Sequence, residues 1–71
     1  MDLEIEELRK IEGEAIARFQ AKAKALREAD PTLNAGLARA KACQLLPQTT
    51  NRYLEATQRL TYAGHMPRTW K

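Results

Sequence analysis

Two side chains of the kinds that most often do chemistry stand alone in this sequence: Cys43 and His65 are each the only residue of their type. Together they offer at most two soft ligands, whereas a zinc site takes three or four. No carboxylate pair stands at ligand spacing near either one. A cysteine nucleophile needs a base and a group that orients the base, and none can be assigned. Cys43 is therefore read as a small buried hydrophobe, and His65 as an exposed tail residue. The three glycines are scattered, so no phosphate-cradling loop is present. The expectation is a protein with no catalytic residue, no metal and no cofactor.

Glu12 poses a different problem. Counting 100° per residue along a helix, it falls at the centre of an apolar arc between Leu8, Ile16 and Phe19. A buried carboxylate without a partner is costly. Either Glu12 pairs with Arg9 or with another helix, or the stripe faces a partner protein and meets a basic group there. On the second reading Ile5, Leu8 and Glu12 are partner-binding residues. Arg68 and Trp70 join them, being of the types enriched at binding hot spots. Trp70 also has a structural reading, in which it folds back with Met66 to cap the core.

Residues 36–56 invite comparison with a helix-turn-helix. Thr49, Thr50, Asn51 and Arg52 open a helix with the side-chain types that reach bases and phosphates, and Arg59 follows two turns later. Leu45-Leu46-Pro47 stands where such turns commonly carry glycine.

The elements that must position these residues are helices. Ile5, Leu8, Ala15, Ile16, Phe19, Ala23 and Leu26 share an arc of roughly 100°, the width of an amphipathic stripe, with Ile11 at its edge. A first helix over about residues 3–29 follows, with Asp2 as its N-cap and Gly13 as its one weak point. Pro31 ends it. A second helix is expected over 35–46, capped by Asn34, with a thin apolar face of Leu33, Leu37, Ala40 and Cys43 or Gln44. Pro47 opens a third, over 48–63, with Tyr53, Ala56, Thr57 and Leu60 on one face and Gly64 as its stop. Residues 1–64 form one helical domain and residues 65–71 a tail without helical period. The fold class is all-α: a three-helix bundle, or a hairpin with a long first helix.

Composition sets the limits. A chain of 71 residues makes one domain with a marginal core. Valine is absent and alanine abundant, so helices form readily but bury little area. Residues 1–14 carry six acidic side chains against two basic. Residues 15–71 carry ten basic against three acidic. An acidic arm before a basic body suits an anionic partner or a head-to-tail self-contact. One cysteine permits no internal disulfide, which fits a reducing compartment. No signal-like or membrane-length apolar run occurs, so the expected location is the cytoplasm.

The stretch from Pro31 to Tyr53 resembles a short helical motif found in proteins of tailed bacteriophages and prophages. The matching positions are Pro31, Leu33, Asn34 and Ala38, then Pro47 and Tyr53. The chain departs from the motif at Thr49-Thr50, where a Leu-Tyr pair is usual. The resemblance implies a small phage-type interaction protein in the host cytoplasm and transfers no functional residue. The functional expectation is a non-enzymatic module that binds another protein, or itself as a homodimer, through helical surfaces. Such a protein is an adaptor, an assembly factor or an inhibitor of a host system. The alternative is a small DNA-binding protein.

Overall fold

The computed structural model describes residues 2–68. Three helices account for most of them: α1 Asp2–Ala29, α2 Ala35–Leu45 and α3 Pro47–Tyr62. No strand occurs among the described residues. At 1.5 Å per residue α1 is about 42 Å long, and the molecule is a rod of 44 × 15 × 15 Å. The first helix therefore sets the full length. Both short helices pack on it much more than on each other. The architecture is a helical hairpin whose return arm is broken into α2 and α3, laid end to end.

Local chemistry explains each break. Asp30 closes α1: its carboxylate accepts the Thr32 N–H at 3.1 Å and the Thr32 hydroxyl at 2.5 Å across Pro31. Asn34 caps α2 by accepting the Leu37 N–H at 2.8 Å. Between α2 and α3 only Leu46 intervenes. In an uninterrupted helix the N–H of residue 47 would bond to the Cys43 carbonyl, but Pro47 has none. The Thr50 hydroxyl fills that gap, 3.0 Å from the Cys43 carbonyl and 2.9 Å from that of Leu46. At the end of α3, Gly64 takes φ 83°. The Gly64 N–H then bonds to Thr61 at 3.0 Å and the His65 N–H to Leu60 at 2.8 Å, the paired bonds of a Schellman stop. The chain turns back there.

The helix boundaries agree with the expected ones to within a residue or so, with two local differences. Asp2, expected as a cap, is already the first helical residue of α1. α1 runs through Gly13 without a break.

The core has two parts. Around α2 it consists of Ala15, Phe19, Ala23, Ala38 and Ala42, with Tyr53 meeting Phe19 edge-on at a centroid distance of 5.8 Å. Around α3 it consists of Leu8, Ala56 and Leu60, flanked by Ile5 and Ile11. The stripe on α1 matches the expected residues, and on α3 Ala56 and Leu60 are buried as expected, but Thr49 is buried too while Thr57 borders the outer surface. The face of α2 does not match. Leu37 and Ala40 were expected inward, yet Ala38 and Ala42 are the buried residues and Leu37 is 54% exposed. Phe19 already fills the space opposite α2, so methyl groups alone fit the seam; a leucine there would hold the helices apart.

Candidate binding surfaces

Glu12 is fully buried, and its two oxygens have separate partners. One accepts from the Arg9 guanidinium at 2.9 Å. The other accepts the backbone N–H of Arg68 at 2.7 Å. The Arg68 side chain adds charge at 3.8 Å. Tyr53 completes the contact by donating its hydroxyl to the Arg68 carbonyl. Burial, and after it the charge of Glu12, pushes the Tyr53 phenol above its usual value. The tail thus runs back along the body and closes over a charge that the sequence places in mid-core.

This arrangement corrects part of the expected partner surface. Leu8 and Glu12 are enclosed by the chain's own third helix and tail, and are not displayed to another protein. Ile5 is half-buried against the same cluster. Arg68 spends its backbone on Glu12 and Tyr53 while its side chain stays 66% exposed. Trp70 lies outside the described residues.

The nucleic-acid set is divided in the same way. Thr49 is buried and Thr50 bridges the proline break, so neither is available to a base or a phosphate. A helix-turn-helix also crosses its helices at a steep angle, whereas α2 and α3 follow one another along α1. Asn51, Arg52 and Arg59 are exposed. Arg52 and Arg59 line the open flank of the α1–α3 seam, with Arg18 of α1 beside Arg52. Glu14 and Glu55 share this flank.

Two further concave surfaces are formed by the described residues. A cleft of about 530 Å³ opens between the C-terminal part of α1 and the start of α2. Ala23, Pro31 and Ala38 line it together with Lys24, Arg27 and Arg39, and Glu28 stands at the same cleft. It exists because alanines meet across the seam and leave the space above them unfilled. The second is a shallow depression of about 620 Å³ on the outside of α3, lined by Leu54, Thr57, Tyr62 and Pro67 among others. Leu54 is 56% exposed there, and Tyr62 is 83% exposed. Met66, in the turn-back of the tail, is 83% exposed as well.

Sequence reasoning missed Leu54, Tyr62 and Met66 as surface residues. The signal was present: Leu54 and Tyr62 lie outside the Tyr53–Ala56–Leu60 face of their own helix. It missed Tyr53 as a latch for the tail, because nothing local brings residue 68 to residue 53. Cys43 is half-buried against the α2 core, and His65 is exposed. Among the described residues no group of three or more His, Cys, Asp or Glu could hold a metal ion, and no helix is long and apolar enough to cross a membrane. Comparison with protein-family models, with curated proteins and with solved structures finds no match.

Proposed function

We propose that this protein is a small non-catalytic binding module that docks another protein on the outer face of α3. The supporting observation is the pair Leu54 and Tyr62, with Met66 following in the tail. A chain with so few large apolar residues leaves Leu54 and Tyr62 mostly in water on one shallow depression, and Met66, one residue before the lining Pro67, is exposed as well. Grouped exposed apolar side chains mark interaction sites, whereas single ones need no explanation. The tyrosine and the neighbouring Arg68 are of hot-spot type. The Pro31–Tyr53 motif supports a phage-type adaptor, assembly factor or inhibitor of a host system, working in the bacterial cytoplasm.

The test is capture from a bacterial lysate with and without nuclease, using the natural chain and a Leu54→Glu/Tyr62→Glu variant. Both positions are exposed, so the variant should keep its melting temperature. A captured protein that survives nuclease and is lost with the variant supports the module. Equal capture by both chains refutes a role for this patch.

A second reading, DNA binding, has its own observation in the exposed arginines Arg18, Arg52 and Arg59 along one flank. If they contact phosphates, affinity for duplex DNA falls steeply with salt, and removing each charge flattens that slope by about one unit. Undetectable binding at low salt removes this reading.

A further inference from the structure

The two ends of the rod complement each other. The first two turns of α1 present Glu4, Glu6 and Glu7, all exposed, around Leu3, which is 75% exposed. No basic residue precedes Arg9. About 30 Å away along α1, the cleft between α1 and α2 carries Lys24, Arg27 and Arg39 over a floor of Ala23, Pro31 and Ala38. Lys22 and Lys41 are further basic residues of this half. Residues 15–46, which build that half, hold six basic side chains against Glu28 and Asp30. Lys24 and Arg27 form no ion pair among the described residues.

Folding narrows this contrast in net charge but keeps the two ends opposite in sign. The arginines of α3 and the tail lie beside the acidic half of α1, so they do not add to the basic end. The other described residues, 2–14 and 47–68, hold seven acidic side chains against five basic. Within one molecule the acidic turns and the cleft sit at opposite ends of a rigid helix and cannot meet. Between two molecules they can.

We infer that the N-terminal turns of α1 from one copy dock in the α1–α2 cleft of a second copy. Leu3 would sit against the alanine floor, with Glu4, Glu6 and Glu7 facing Lys24, Arg27 and Arg39. Such a contact joins two different surfaces, so it does not close on itself and builds open head-to-tail chains. It is held largely by charge, so it is weak and sensitive to salt. It is independent of the outer patch on α3.

Sedimentation of the full chain tests this. At low salt and high micromolar concentration the mass should rise with concentration beyond that of a dimer. It should return to monomer near about 0.5 M salt, where screening is nearly complete at contact distances beyond a few ångströms. Lys24→Glu/Arg27→Glu and Glu4→Lys/Glu7→Lys change only exposed positions, and each variant alone should be monomeric. An equal mixture of the two should regain association, because each supplies the end that the other now needs. The Leu54→Glu/Tyr62→Glu variant should assemble as the natural chain does, so failure of the outer patch and failure of this contact are separable. A natural chain that stays monomeric at low salt overturns the inference. So does a closed dimer, or association that survives both charge reversals.

Discussion

The two halves of the rod solve the same packing problem differently. Where α2 meets α1, the seam is made of alanine methyls around one large residue, Phe19. The helices come close, little area is buried, and a cleft stays open above the seam. Where α3 meets α1, Leu8 and Leu60 supply bulk, and a fully buried carboxylate is satisfied by Arg9 and by the returning tail. The first half depends on shape alone. The second depends on a hydrogen-bonded charge, which removes more stability when half its partners are taken away than it contributes when complete. A poor core can thus be completed by small residues at short range or by a polar latch at long range in sequence.

The largest effect should come from Phe19→Ala. Among the described residues Phe19 is the one large fully buried side chain of the α2 half, and such a truncation costs about 3–5 kcal/mol. In a domain this small that leaves most molecules unfolded at 37 °C, which circular dichroism would show. If α2 alone were lost and α3 stayed protected in hydrogen exchange, the two halves would be separate cooperative units.

A chain ending at Pro67 tests the polar latch. It keeps the Schellman stop and loses the Arg68 N–H that bonds to Glu12. A buried acceptor left short of a partner costs about 1–3 kcal/mol. Glu12→Gln in the same background should recover part of that loss, because a neutral amide is cheaper to leave half-satisfied. Chemical denaturation of the four chains of this cycle gives the coupling directly.

Adding volume to the tight seam distinguishes the halves from another side. Ala42→Leu should destabilise by about 1–3 kcal/mol through overpacking, since Ala42 is fully buried between the helices. A neutral result would mean that α2 can shift outward into its own open cleft. By contrast, Gly13→Ala should stabilise by about 0.4–1 kcal/mol. Gly13 is helical and a methyl there meets nothing within 4 Å. Thermal melts decide both.

The smallest effect concerns pH. The Tyr53 phenol is raised by burial and by the charge of Glu12. A raised folded value means stability that is fully present below the unfolded value near about 10 and is lost as pH rises through the folded value. Ionisation would also remove the donor to the Arg68 carbonyl. The melting temperature should therefore fall above about pH 10, and Tyr53→Phe should flatten that fall. An unchanged profile in the variant would separate Tyr53 from the tail.

Much of this fold was legible because its signals are local. Pro31, Asn34, Pro47 and Gly64 act on backbone dihedrals and on the nearest N–H groups, and each stands where a helix starts or stops. The stripe from Ile5 to Leu26 follows from helical period alone, and all of its residues are buried or half-buried. Even the difficulty posed by Glu12 was visible, because a carboxylate in mid-stripe demands a partner.

Three things were decided only by the assembled molecule. The rotation of α2 depends on what Phe19 leaves free, so Ala38 turned inward and Leu37 outward against a pattern too thin to choose. The hydroxyl of Thr50 was committed to the Cys43 carbonyl, which Pro47 leaves without its helical donor, and to that of Leu46, which withdrew a residue whose type alone suggested base contact. The second partner of Glu12 came from Arg68, 56 residues away. Periodicity reports which face of a helix is apolar, but not how that face is turned against a neighbour or which distant backbone group reaches a buried charge. Those outcomes belong to the closure of the whole chain.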